Sequence, residues 1–175
     1  NPFIMPQPLI LDCQGHSPSF DSSCWIAPNA TLVGNIVMGH SCSIWFQAIV
    51  RGDVARISIG NRVNIQDGAV IHGTFEKSQT TIGDGASIGH RAIVHGATIG
   101  ENVLVGMGAI VMDGAVIGAG AVIAAGAVVL ENTIVPEGTM WAGVPAKQRG
   151  AVKTELADSL KATADRYVTY AEWFK

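Results

Sequence analysis

Aliphatic residues recur at every sixth position along most of the chain. Ile26, Leu32, Met38, Ile44 and Val50 form one unbroken run, Ile59, Ile65 and Ile71 a second, and Ile82, Ile88 and Val94 a third. Ile99, Val105, Val111, Ile117, Ile123, Val129 and Val135 form the fourth. A period of six fits neither an amphipathic helix, with about 3.6 residues per turn, nor an alternating strand, with about two. It is the period of a parallel β-helix, in which each aliphatic residue points inward from one flat side of a triangular coil and three sides make a turn. The Ala, Ser, Gly and Thr between the aliphatics suit tight corners. The eighteen ladder positions predict an all-β solenoid of about six turns, running from roughly Ser22 to Val135.

The repeat is interrupted in three places. Between Val50 and Ile59 the step is nine, which inserts three residues around Arg51-Gly52-Asp53. Between Ile71 and Ile82 it is eleven, so five residues bulge out near Thr74-Phe75-Glu76-Lys77, and between Val94 and Ile99 it is five, one short. A solenoid needs none of these departures for its own stability, so they mark where function sits. Residues 1 to about 20 are Pro-rich and non-periodic and are expected to lie across the first coil. After Val135, Pro136-Glu137-Gly138 and Gly143-Val144-Pro145-Ala146-Lys147 break the pattern and turn the chain around. Residues 151–174 then read as an amphipathic helix that packs on or caps the solenoid, with Val152, Leu156, Leu160, Tyr167, Tyr170 and Phe174 along one side. The predicted organisation is a β-helix domain over 1–150, with an extended N-terminal segment, followed by a C-terminal α-helix over 151–175.

Composition agrees with a solenoid. Twenty-one Gly and 48% hydrophobic residues against 14% charged suit glycine corners and turns that bury aliphatics against their neighbours. A net charge of −3 argues against nucleic-acid binding, which needs a basic stripe. No apolar run is long enough for a membrane span, and the N-terminus lacks a basic region followed by an apolar stretch, so no signal peptide is expected. Cys13, Cys24 and Cys42 are odd in number and lack CxxC spacing. They read as reduced thiols, which suits the cytoplasm.

The candidate chemistry lies in three histidines. His72 directly follows ladder residue Ile71, and His95 directly follows Val94. If the five extra residues bulge out, Ile71 and Val94 lie one full turn apart, and the two imidazoles stack on one edge at a strand spacing of about 4.8 Å. His90, two residues past Ile88, falls on the preceding side, about 120° away on a three-sided coil. It cannot join the pair within one chain. In a cyclic trimer, His90 of one subunit would face His72 and His95 of the next, so the spacing predicts a three-His site across a threefold interface. Three neutral imidazoles with an open fourth position suit a catalytic zinc. His16 and His40 read as surface residues. Arg51 and Asp53 are placed to form an ion pair at a subunit contact. Gln66, six residues before His72 and facing outward, is placed to orient a metal-bound water, and Asn64 and Asp67 either support that shell or satisfy turn backbone groups.

These residues resemble a known family. Val50-Arg51-Gly52-Asp53, Asn64-Ile65-Gln66-Asp67-Gly68, His72, Gly89-His90 and Val94-His95-Gly96 together resemble the γ-class carbonic anhydrases, over roughly residues 20–150. The resemblance implies a homotrimeric left-handed β-helix that hydrates carbon dioxide to bicarbonate by a metal-bound hydroxide, with Zn2+ (Fe2+ or Co2+ as alternatives) held between subunits. It implies His72 and His95 as ligands from one chain and His90 from its neighbour. It assigns Arg51 and Asp53 to the interface ion pair near bicarbonate, Gln66 to the bond with the metal-bound water, and Tyr167 to a tyrosine brought toward the active site by the C-terminal helix.

The chain departs from the founding type of that family, which carries a proton-shuttling glutamate in a long acidic loop after the first ligand. Here Gly73-Thr74-Phe75 stands in its place, Glu76 comes one position late, and Val54 replaces a second functional glutamate. Short-loop relatives resemble hexapeptide proteins of phenylacetate and carnitine operons, so-called ferripyochelin-binding proteins and acyltransferases. The alternatives to carbon dioxide hydration are therefore an acyl-CoA thioesterase or acyltransferase, to which Gly143-Val144-Pro145-Ala146-Lys147 also bears a likeness, and a non-catalytic metal-binding assembly subunit.

Overall fold

The computed structural model describes residues 7–175; of the segment expected to lie across the first coil, residues 1–6 fall outside the described residues. The ladder residues stack in three parallel columns. Leu32, Val50, Ile71, Val94, Val111 and Val129 pair in succession along the first side. Met38, Ile59, Ile82, Ile99, Ile117 and Val135 form the second. Ile26, Ile44, Ile65, Ile88, Val105, Ile123 and Trp141 form the third. The result is a left-handed parallel β-helix of about seven turns with one C-terminal helix. Leu32, Ile44, Val50, Ile65, Ile71, Ile88 and Val94 are wholly shielded from solvent. Each such side chain contributes roughly 1.5–3 kcal/mol of burial. Two residues before the first column, Ala30, Ala48, Ala69, Ala92, Ala109 and Ala127 are equally buried, because only a methyl group fits inside the corner.

The structure adds a turn to the six expected. Leu9–Leu11 pairs in parallel with Thr31–Met38, setting Ile10 opposite Leu32, and Ser19–Phe20 sets Phe20 opposite Met38. This segment extends the stack instead of lying across it; the irregular interval between Ile10 and Phe20 hides its periodicity. At the other end, Pro136-Glu137-Gly138 is one more corner and not a break, because Thr139–Ala142 stacks on Val122–Ile123 with Trp141 in the place of an aliphatic. The reversal comes after it, where Thr139–Ala142 pairs antiparallel with Lys147–Ala151.

Corners carry a residue with left-handed backbone three positions after a ladder residue. Gly108 (φ 66) and Gly126 (φ 68) do this after Val105 and Ile123, while Gln47, Arg62 and Arg91 adopt φ 61, 53 and 57 nearer the histidines. Glycine takes this conformation without steric cost. Both insertions leave the ladder intact. Gly34 pairs with Gly52 and Ile36 with Ile57, so residues 53–56 bulge opposite Asn35. Residues 73–79 form a loop between Val70–His72 and Thr80–Ile82.

The helix Thr154–Glu172 buries Leu160, Ala164 and Ala171 and lies against Ser43–Ile44 and Ser87–Ile88 of the third side. Aromatic contacts hold it there: Tyr167 meets Trp45 at 5.3 Å, and Phe174 meets Trp25 at 5.1 Å and Phe46 at 5.7 Å between ring centroids. Arg62 pairs with Asp165 at 2.8 Å. Among the described residues no helix is long and apolar enough to cross a membrane.

Candidate functional site

His72 and His95 end the neighbouring strands Val70–His72 and Ile93–His95 and stand opposite each other in register. Their ring centroids are 5.1 Å apart, and His72 Nδ1 lies 3.1 Å from His95 Nε2. Each ring is anchored by a carboxylate through its other nitrogen. Asp53, carried by the bulge after Gly52, lies 2.9 Å from His72 Nε2. Asp113 sets both carboxylate oxygens 3.2 Å from His95 Nδ1. Arg51 donates to Asp53 through Nη1 and brings Nη2 to 3.5 Å from His72 Nδ1. Burial pushes the Asp53 carboxyl up, but bonds from His72 and Arg51 and the guanidinium charge outweigh it, leaving the group below its ordinary value. Asp113 follows the same pattern, with burial outweighed by bonds from Ser78 and His95, the imidazole charge and a bond from Thr74.

This arrangement suits a cation. With Asp53 and Asp113 ionised, a ring that carries a single N–H directs it from His72 Nε2 to Asp53 and from His95 Nδ1 to Asp113. The lone pairs of His72 Nδ1 and His95 Nε2 then face each other at 3.1 Å, which is repulsive unless a proton or a metal ion lies between them. Two imidazoles on one tetrahedral zinc, with Zn–N about 2.0–2.1 Å, hold their nitrogens about 3.3 Å apart.

A second group of predicted residues lies on another edge. His90 Nδ1 pairs with Asp67 Oδ2 at 2.8 Å. Gln66 Nε2 donates to Asn64 Oδ1 at 2.9 Å, and Asn64 Nδ2 donates to Ser87 Oγ at 2.8 Å. Asn64 thus belongs to a side-chain chain and not to a turn, and Gln66, expected to face outward, is buried along with it. The Tyr167 phenol is pushed up by burial and then by the Asp67 charge. The structure therefore brings Arg51, Asp53, His72 and His95 together, while Asn64, Gln66, Asp67 and His90 belong to the third side and its following corner, and Tyr167 lies on the helix packed against it. Among the described residues no single-chain group of three His, Cys, Asp or Glu side chains could hold a metal ion. His16 and His40 are exposed.

The edges bearing the histidines continue as apolar surface. Met107, one turn beyond His90, is 59% exposed, and Leu130, beyond His95, is 48% exposed. Beside the first-side histidines a groove of about 470 Å3 is lined by Gln14, His16, Asp53, Arg56, Glu76 and Lys77, among others. Asp113 and Ser78 are absent from the sequence expectations, and Thr74 enters them only as part of the insertion and not as a partner of the site. The repeat itself offers little signal, since Asp113 lies two residues past Val111, which stacks on Val94, and so falls one place off the register of His95.

The signature described as "Bacterial transferase hexapeptide (six repeats)" matches residues 96–131. A probable carbonic anhydrase of Methanocaldococcus jannaschii is 48% identical over 147 residues, covering 84% of this chain and 92% of the relative. A carbonic anhydrase of Geobacillus kaustophilus is 41% identical over 96 residues, 55% of this chain and 52% of the relative. With it and two further curated relatives, the matched part spans 52%, 54% and 58% of the relative's length. The crystal structure of a hexapeptide transferase family protein from Anaplasma phagocytophilum superposes with TM-score 0.92 at 39% identity, covering 95% of this chain and 98% of that one. The chain belongs to the γ-class carbonic anhydrase-like family of hexapeptide-repeat proteins.

Proposed function

We propose that the protein interconverts carbon dioxide and bicarbonate at a metal site completed between copies of a homotrimer. The observation that carries this reading is the pair of carboxylate-anchored imidazoles, His72 and His95, whose free nitrogens converge at 3.1 Å. In a cyclic trimer the neighbour's third side would bring His90 to that pair, with Gln66 and Asp67 beside it. The exposed Met107 and Leu130 along the same edges support a second copy as the covering surface.

Zinc, or Fe2+ or Co2+, held by the three imidazoles would supply a water whose pKa is lowered to about 7, the value known for the zinc of carbonic anhydrase. His72 and His95 would hold the ion through the nitrogens that face each other, since Asp53 and Asp113 engage the opposite ones. Gln66, fixed by Asn64, would orient the nucleophile through its side-chain amide. Arg51, held by Asp53, offers its guanidinium to the developing bicarbonate. Tyr167 borders the same space from the C-terminal helix. Glu76 and His16, on the groove that Asp53 also lines, are the groups placed to pass a proton toward solvent.

The test is stopped-flow hydration of carbon dioxide on zinc-loaded protein, with a chelated sample beside it. Hydration above the buffer rate, lost on chelation and restored by zinc, is expected. A trimer that holds metal and hydrates no carbon dioxide would overturn the reading. The matched signature and the Anaplasma relative are described as transferases, so acyl-CoA esters, the alternative drawn from the sequence, are the next substrates to assay.

A further inference from the structure

Asp113 has more partners than anchoring one imidazole requires. Besides His95 Nδ1, it accepts a short hydrogen bond from Ser78 Oγ and bonds from Thr74 Oγ1 at 3.2 and 3.3 Å. Ser78 and Thr74 belong to the five-residue insertion, which closes on itself through Thr74 N to Ser78 Oγ at 3.0 Å. The loop is also tied to the histidine strands by Thr80, whose hydroxyl donates to the His72 carbonyl at 2.5 Å and accepts from Gly96 N at 3.1 Å. Gly96 makes room for this arrangement: a Cβ there would collide with Asp113 Oδ1 and Ser78 Oγ, and its φ is +59. The one-residue deletion after Val94 and the insertion after Ile71 thus meet at one carboxylate. The same loop supplies Thr74, Phe75, Glu76, Lys77 and Ser78 to the groove that Asp53 lines.

We propose that Asp113 is a positioning residue that couples the metal-facing orientation of His95 to the closed state of the 73–79 loop, so that taking up metal and shaping the groove are one event. This rests on the metal-site reading above. One carboxylate serves both partners. When the imidazole turns its free nitrogen to a cation, its Nδ1–H is held against Asp113, and the carboxylate is fixed where Ser78 and Thr74 can reach it. With the ring unheld, the carboxylate is free to turn and the loop loses its anchor. Linkage requires the effect to be reciprocal: whatever factor metal adds to loop closure, loop closure adds to metal affinity.

The test is amide hydrogen exchange across residues 73–79, with and without Zn2+, alongside zinc affinity by competition with a chromophoric chelator. In the wild-type protein zinc is expected to slow exchange of the loop by at least about fivefold. Asp113→Ala should weaken zinc about 10- to 100-fold and abolish that slowing. The double variant Thr74→Ala/Ser78→Ala leaves His95 anchored, and its zinc affinity should fall by about the factor by which zinc slows the wild-type loop. Asp113→Asn, of equal volume, replaces the alanine variant if circular dichroism shows that one to be unfolded, and should fall between it and wild type. A wild-type chain that takes up no zinc overturns the metal reading and this inference together. Zinc uptake that leaves the loop unchanged, or that is indifferent to Asp113, overturns the inference alone.

Discussion

His72 Nδ1 and His95 Nε2 face each other at 3.1 Å although the residues are 23 apart in sequence. A regular turn of this coil is eighteen residues, as between Val111 and Val129. The excess is the five-residue insertion, which leaves the coil wall after His72 and returns at Thr80 without shifting the ladder. The side chains stay in register because the insertion bulges outward, beside the strand that ends at His72.

If the metal site is split between subunits, two inactive variants should rescue each other. His90→Ala and His95→Ala proteins should each lose tight zinc binding. Co-expressed, they form mixed trimers in which one of three interfaces joins an intact His72–His95 pair to an intact His90, which restores about a quarter of the wild-type zinc after random mixing. A site contained in one chain would give no recovery.

Met107 and Leu130 should carry much of the association. Both are large, apolar and exposed in the single chain, so a charge at either need not disturb the coil. Met107→Glu and Leu130→Glu should each weaken assembly by at least about 2 kcal/mol, because the carboxylate would be buried unpaired. Sedimentation equilibrium would show a shift to monomer with unchanged circular dichroism; an unaltered trimer would place the interface elsewhere.

Loss of a ladder side chain should be costly wherever the turn lies between two others. Ile71→Ala leaves a cavity between Val50 and Val94, which pair with it on either side, and should cost about 2–5 kcal/mol in urea unfolding. Ile134, 63% exposed on the outer surface, should tolerate alanine within about 0.5 kcal/mol.

Acid should loosen the second side through Asp84. Its carboxylate accepts the Asn61 backbone N–H at 2.9 Å and the Asn61 side-chain amide at 3.0 Å. These two bonds, against a smaller effect of burial, hold it below its ordinary value. A depressed carboxylate stabilises the fold above the unfolded value of about 3.9 and ceases to do so as pH falls through its folded value. Thermal unfolding of the wild type should therefore decline below about pH 4, and Asp84→Asn should be less stable than wild type at pH 7 but lose less on acidification. Parallel curves for the two proteins would exclude Asp84 as a source of the acid sensitivity.

How much of this was legible in the chain differs by residue. Ile65, Ile71, Ile88 and Val94 announce their columns because an inward aliphatic is required once per side whatever the surroundings. The pairing of His72 with His95 follows from the same arithmetic, as does the separation of His90. Ile10 and Trp141 were missed because the end turns pack against fewer neighbours and tolerate an irregular interval or an aromatic ring. Gln66 was expected to face outward, and it is nonetheless buried, because the six-residue period gives a side chain's direction relative to the coil and no information about what covers it.

The period by itself determined the solenoid, its three columns and which histidines share an edge, because each of these depends only on residue type at a repeating position. Only the tertiary structure decided the roles of Asp53 and Asp113. A carboxylate two or three places off the ladder has no preferred direction until the bulge after Gly52 and the loop ending at Ser78 aim it. Side-chain hydrogen bonds across turns depend on distances of a few tenths of an ångström, which the repeat leaves open and the packed insertions set.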